Sequence, residues 1–312
     1  MAEVVISEFM DEAAVARIAA VHSCLYAADL VDRPDDLAEA VGLARALIVR
    51  NRTQLRGALL EAGGKLECVG RLGVGLDNID VAACRARSID VYPATGANDL
   101  SVAEYVITCA QMLLRNAYGA SNAVIAGEWP RQAMIGRELA GKTVGLIGFG
   151  AIARQVAGRA MTLGCEVVAF DPMLPADDPA WAHVRNVSLD GIADLSDVVS
   201  LHVPLTEATR HMVDLRFLKA MRSDAVLINA ARGGAVDDAA LALALSEGEI
   251  AGAALDVFET EPLTAEAGAK FAGLPNFIAT PHIAGVTEES NVRVSHMIAD
   301  LVLAKLGNSS SS

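Results

Sequence analysis

The sequence predicts an α/β protein of two units, and three observations predict it. Short β-rich runs alternate with helical patterns along most of the chain, as in parallel sheets built from βαβ units. After one long apolar helical pattern the series restarts at Gly141. Just beyond that restart a glycine-rich turn, Gly148-Phe149-Gly150-Ala151-Ile152-Ala153, stands between a strand and a helix. At 312 residues the chain has room for two ordinary cores.

In the first unit the predicted strands are residues 4–7, 46–50, 66–71 and 89–92. A helical pattern over 101–125 carries the chain onward. The second unit then offers strands at 143–147, 166–170, 198–202, 225–229, 251–255 and 277–280, a series that suits a doubly wound dinucleotide fold. A last helix over 287–306 must pack on one of the two units, and the serine-rich end from Asn308 to Ser312 is expected to fray.

Hydrophobic residues make up 53% of the chain and charged ones 21%, the balance of a compact core-forming protein. Aromatics are only 4%, so the cores must be aliphatic. A formal net charge of −14 disfavours a phosphate backbone, and no nucleic-acid partner is expected. No apolar run reaches about 18 residues and the first residues lack a signal-peptide pattern, so the expected location is cytoplasmic, with no membrane partner. Cys24, Cys68, Cys84, Cys109 and Cys165 are odd in number and scattered, which reads as reduced thiols with no metal site.

Position gives the glycine turn its meaning. Gly148 permits the tight turn, Gly150 lets the backbone approach a pyrophosphate, and the small residue at 153 lets helix and strand pack closely. The amides at Ala151 and Ile152 then open the helix toward the phosphate charge. Asp171 ends the next strand, where a carboxylate accepts hydrogen bonds from the adenosine ribose and repels a 2′-phosphate. The expected cofactor is NAD rather than NADP.

Further motifs extend the reading. They are Arg71-Leu72-Gly73-Val74-Gly75-Leu76-Asp77-Asn78-Ile79-Asp80, Asn98 with Ser101-Val102-Ala103-Glu104, Leu201-His202-Val203-Pro204-Leu205-Thr206 and Asn229-Ala230-Ala231-Arg232-Gly233-Gly234. Leu255-Asp256-Val257-Phe258-Glu259-Thr260-Glu261-Pro262 and Thr280-Pro281-His282 follow. With the glycine turn, they make the chain resemble the D-isomer-specific 2-hydroxyacid dehydrogenases, in their phosphoglycerate dehydrogenase-like branch, over nearly its full length. The resemblance implies a Rossmann doubly wound cofactor domain over residues 100–286 and a smaller flavodoxin-like α/β substrate domain from 1–99 with 287–312. Ala151 and Ala153 depart from the Arg and Gly often found there, and the regulatory domain of some relatives is not expected here.

The same resemblance implies the roles. Oxidising a C2 alcohol needs a base that titrates near neutrality, and His282 matches it. Glu261 matches the carboxylate that fixes the imidazole's tautomer and stabilises its charged form, and Arg232 the guanidinium that grips the substrate carboxylate. The amides of Val74 and Gly75 are implied as further carboxylate donors. Asp256 should face the nicotinamide carboxamide, with His202, Pro204, Thr206 and Ala230 along the cofactor. A homodimer is implied, with residues 101–140 reaching across and Trp129 and Met134 approaching the partner's site.

Arg50, Arg52 and Arg71 lie at strand ends, which share one rim in an α/β unit. At the substrate site they would favour an acid with a second anionic group at C3. The candidates are 3-phosphoglycerate and 3-sulfolactate, with hydroxypyruvate, glyoxylate or lactate-type acids if the arginines point away. Sulfur outranks the carboxylate, so the S label of sulfolactate corresponds to the arrangement called R in D-lactate. The competing class is an NAD(H)-sensing binding protein on the same scaffold.

Overall fold

A computed structural model describes residues 2–308; the remainder of the tail expected to fray lies outside the described residues. The chain divides into two compact units, one made of residues up to 98 together with those from 285, the other of residues 99–284. Each is a parallel sheet between helices.

The first unit holds β1 (Val4–Ile6), β2 (Cys24–Tyr26), β3 (Ala46–Val49), β4 (Cys68–Arg71) and β5 (Asp90–Pro93). Their order is β2-β1-β3-β4-β5, the flavodoxin-type arrangement, and every pairing is parallel. β1 and β3 are buried at every residue because helices cover both faces of the sheet, so they read as unbroken apolar runs. β2 escapes the sequence pattern because it is a three-residue edge strand, half exposed along its length.

Helices Glu12–Ala19 and Glu288–Asn308 cover one face, setting Ile18, Val294, Ile298, Val302 and Leu306 against Ile6, Ile48 and Cys68. Each such aliphatic side chain contributes about 1.5–3 kcal/mol of burial. Leu37, Val41, Leu60 and Cys84 cover the other face.

The second unit holds β6 (Thr143–Ile147), β7 (Glu166–Phe170), β8 (Arg185–Asn186), β9 (Val198–Leu201), β10 (Val226–Asn229), β11 (Gly252–Leu255) and β12 (Phe277–Ala279). The order β12-β11-β10-β9-β6-β7-β8 is the doubly wound Rossmann order with one strand added beyond β11. It reverses between β6 and β9, and ligands of such sheets bind outside the carboxyl ends at that reversal. The two-residue edge strand β8 is too short to leave a pattern in the sequence.

The helical pattern over 101–125 resolves into helix Asp99–Arg115 and a short helix Ser121–Ile125. The break follows Asn116, whose left-handed φ of 48° suits an asparagine and ends the first helix. Ala103, Val106 and Ala110 of the long helix share a core with Ala153, Val156, Ala157 and Ala160 of helix Ala151–Thr162. Ala153, at the third position of the glycine turn, is fully buried there, so its methyl is accommodated by the packing.

All five cysteines are free, and four are buried. Among the described residues, no helix is long and apolar enough to cross a membrane.

Candidate active site

The turn after β6 is shaped by a close approach. A Cβ on Gly148 would lie 2.7 Å from the carbonyl oxygen of His202, and φ there is +88°, so only glycine fits. Gly150 is the N-cap of helix Ala151–Thr162 and has open space where its side chain would be, with no side chain capping the helix amides. Asp171 accepts hydrogen bonds at Oδ2 from the Phe149 amide (2.8 Å) and at Oδ1 from the Met173 amide (2.9 Å). An uncapped helix start beside an oriented carboxylate fits a dinucleotide, with pyrophosphate at the amides of 150–152 and ribose at Asp171.

The His202 amide donates to Ile147 (2.7 Å), and its Nε2 lies 3.0 Å from Ser200 Oγ. Burial pushes this imidazole down to about 4, so it is neutral at pH 7. Pro204 and Thr206 are exposed beyond it, tied by Thr209 Oγ1, which donates to the Pro204 carbonyl (2.6 Å). Ala230 sits half-buried just after β10.

Arg232 follows in a turn stapled by Asn229. The buried Asn229 accepts the Ala231 amide (3.1 Å) and donates to the Arg232 carbonyl (2.9 Å). Gly233 then lets this turn lie against the Asp256-to-Glu261 segment, and the Glu261–Pro262 peptide bond at its end is cis. Glu261 accepts the Phe258 amide at Oε1 (3.1 Å) and the His282 Nδ1–H at Oε2 (2.7 Å). Burial would raise this carboxyl, but the His282 ring, the Phe258 amide and the Arg232 guanidinium together hold it below its ordinary value. The His282 side chain is 40% exposed, and Glu261 backs its Nδ1 nitrogen.

Asp256 is buried and its carboxylate is committed within the protein. Oδ1 accepts the Thr280 hydroxyl (2.6 Å) and the Ile283 amide (2.8 Å), and Oδ2 accepts the Ala284 amide (2.7 Å). These partners all lie on the segment that carries His282.

In the first unit Val74 and Gly75 are half-buried in the loop after β4, and Arg71 Nη1 donates to the Leu72 carbonyl (3.2 Å). Arg50 bonds Asn291 and lies 5.6 Å from the centre of the Phe9 ring, while the exposed Arg52 pairs with Asp32. The structure thus brings Arg232, Glu261 and His282 together in one unit and places the three arginines in the other.

The family model for the NAD-binding domain of D-isomer-specific 2-hydroxyacid dehydrogenases matches residues 107–284. The chain belongs to this family. It is an NAD-dependent D-2-hydroxyacid dehydrogenase, and it is 53% identical to the (S)-sulfolactate dehydrogenase of Chromohalobacter salexigens over 98% of this chain and 99% of that one. It is 37% identical to the D-3-phosphoglycerate dehydrogenase of Archaeoglobus fulgidus over 85% of this chain, which spans half the length of that relative. Among solved structures it resembles the D-lactate dehydrogenase of Aquifex aeolicus complexed with NAD and lactic acid, with a TM-score of 0.86 and 28% identity over 98% of this chain and 96% of that one.

Sequence reasoning about the dehydrogenase missed the groups that hold its loops. Glu8 is buried, and its carboxylate accepts the amides of Arg50 (2.8 Å), Arg52 (3.1 Å) and Thr53 (3.0 Å). Asn78 donates to the carbonyls of Arg50 (3.1 Å) and Thr53 (2.7 Å). A carboxylate directly after an apolar strand was the signal for Glu8: such a group is buried only where amides receive it.

Proposed function

We propose that this dehydrogenase oxidises (S)-3-sulfolactate to the corresponding 2-oxo acid. The observation that carries the substrate is the 53% identity to an (S)-sulfolactate dehydrogenase over nearly the whole of both chains. The observation that carries the chemistry is the His282–Glu261 pair.

Because Nδ1 of His282 donates to Glu261, the ring's lone pair is left on Nε2, the atom that takes the C2 hydroxyl proton. Glu261 stabilises the imidazolium so formed. A bound NAD would supply the acceptor for the C2 hydride. Arg232 and the amides of Val74 and Gly75 hold the substrate carboxylate, Arg232 also polarising the C2 oxygen. Arg50 and Arg71 favour the sulfonate, with Arg52, already paired with Asp32, adding less. The amides of 150–152 hold the pyrophosphate, Asp171 the ribose, and His202, Pro204, Thr206 and Ala230 border the cofactor.

Initial rates with NAD and (S)-sulfolactate, 3-phosphoglycerate, glycerate, D-lactate and malate test this reading. Sulfolactate should give the highest kcat/KM, and Arg50→Ala should raise its KM. A preference for phosphoglycerate or for a singly charged acid would overturn the substrate assignment. His282→Ala should lose about 100-fold or more in kcat, and near-normal turnover would overturn the mechanism.

We propose further that the enzyme is a cytoplasmic homodimer. Ile125, Trp129 and Ile135 are 85%, 79% and 71% exposed within residues 101–140, an apolar surface suited to a second copy. The free thiols suit a reducing compartment. Sedimentation of the wild type and of Trp129→Ser tests the dimer: two copies and a weakened association are expected, and a monomeric wild type would refute it.

A further inference from the structure

We infer that Thr280 and Tyr105 are positioning residues for His282, acting through Asp256. The inference rests on the reading of His282 as the base. Asp256 grips the backbone around His282 at three points: its carbonyl accepts the His282 amide (2.9 Å), and its carboxylate accepts the Ile283 (2.8 Å) and Ala284 (2.7 Å) amides. His282 itself sits at a φ of 58°, a left-handed conformation that a side-chain-bearing residue holds only when its surroundings fix it. The orientation of the Asp256 carboxylate therefore sets where the imidazole stands.

That orientation is set in turn by a hydrogen-bond chain with a definite proton order. Asp256 accepts from two amides, so the Thr280 hydroxyl donates its single proton to Oδ1 (2.6 Å). Thr280 Oγ1 is then an acceptor for its other neighbour, and the Tyr105 hydroxyl 2.6 Å away must be the donor. Burial pushes the Tyr105 hydroxyl up, so it keeps the proton it donates. Tyr105 comes from helix Asp99–Arg115 and Thr280 from the turn after β12, so the chain braces the base from a separate element of the same unit.

The test compares Thr280→Val, Thr280→Ser, Tyr105→Phe and the Val/Phe double variant. Each is assayed for kcat, KM and NADH affinity by fluorescence titration, and by the ¹H–¹³C signal of the His282 ring in the cofactor-free protein. Thr280→Val should lower kcat about tenfold with KM and NADH affinity within about twofold, because a displaced base harms the chemical step more than binding. Tyr105→Phe should lower kcat about threefold, and Thr280→Ser should stay within about twofold of wild type. The double variant should be no worse than Thr280→Val, since Tyr105 acts only through that hydroxyl.

The His282 ring signal should shift in the Val and Phe variants and not in the Ser variant. Unchanged kcat in Thr280→Val, a Ser variant as impaired as Val, or additive losses would overturn the inference. If Thr280→Val does not fold, the Tyr105→Phe and Thr280→Ser pair decides by the same signatures. If His282→Ala retains turnover, the base assignment fails on its own, whereas an unmoved ring signal in Tyr105→Phe refutes the positioning chain.

Discussion

Gly233 and Phe258 touch backbone to backbone: a Cβ at residue 233 would lie 1.7 Å from the Phe258 carbonyl oxygen. This approach draws the Arg232 turn against the segment ending in Glu261. No rotamer change relieves the clash that an added methyl would create, so the turn must move. Gly233→Ala should lower kcat/KM by about 100-fold through displacement of Arg232. Calorimetry should also show a lower Tm from overpacking. A variant with wild-type kinetics would mean that Arg232 does not depend on this contact.

Glu261→Gln keeps the shape of the side chain and removes its charge, so the imidazolium loses its stabilising partner. We expect kcat to fall about 10- to 100-fold. The variant should also change the acid sensitivity of the fold. The folded Glu261 carboxyl lies below its ordinary 4.5, so its stabilisation is present above that value and is lost as pH falls through the folded value. Urea titrations at pH 7 and pH 3.5 should therefore differ less for the variant than for the wild type. An equal difference would remove Glu261 from the acid response.

Asp238 has the opposite sign. Its carboxyl is pushed from 3.8 up to about 6, chiefly by burial, with Glu259 close by and its amide donating to Asp238 Oδ2 (3.3 Å). Between those values the folded protein holds a proton that the unfolded chain releases. Stability is thus fully present below pH 3.8 and is lost as pH rises through about 6. Asp238→Asn should raise Tm by about 2–4 °C or more at pH 8 and leave it unchanged near pH 3.8. Thermal scans at both values check this, and a gain independent of pH would refute it.

Glu8 has two oxygens for three amides, and a glutamine has one acceptor oxygen for the same task. Glu8→Gln should loosen residues 50–53 and raise the KM for a doubly charged acid about five- to tenfold, with a smaller change in kcat. Initial-rate kinetics with sulfolactate check it. A change in kcat at constant KM would place the effect elsewhere.

Local chemistry was the legible part of this protein. The strands at 143–147 and 166–170 match residue for residue, because apolar runs there end at glycine or a charge. Asp171 could be placed beside the glycine turn for the same reason, since it directly follows the strand that runs alongside β6. What stayed hidden depends on contacts between distant residues. Tyr105 meets Thr280 across 175 positions, and Arg50 meets Asn291 across 241, and neither pairing leaves a spacing to read. Asp256 could be recognised as a motif position, yet the direction of its carboxylate follows from the packing of β11 and β12. Arg52 reads as a free cation until Asp32, 20 positions earlier, is found beside it.

The first unit draws its sheet from the start of the chain and one covering helix, Glu288–Asn308, from the other end. A ribosome delivers these pieces far apart in time. At about 5–20 residues per second, β1, β3 and β4 wait on the order of 10–40 s while residues 99–284 are made. Throughout that interval Ile6, Ile48 and Cys68 lack Ile298 and Val302 as neighbours. A nascent chain released before Val294 would carry a finished second unit and a sticky, half-built first one, a natural client for chaperones.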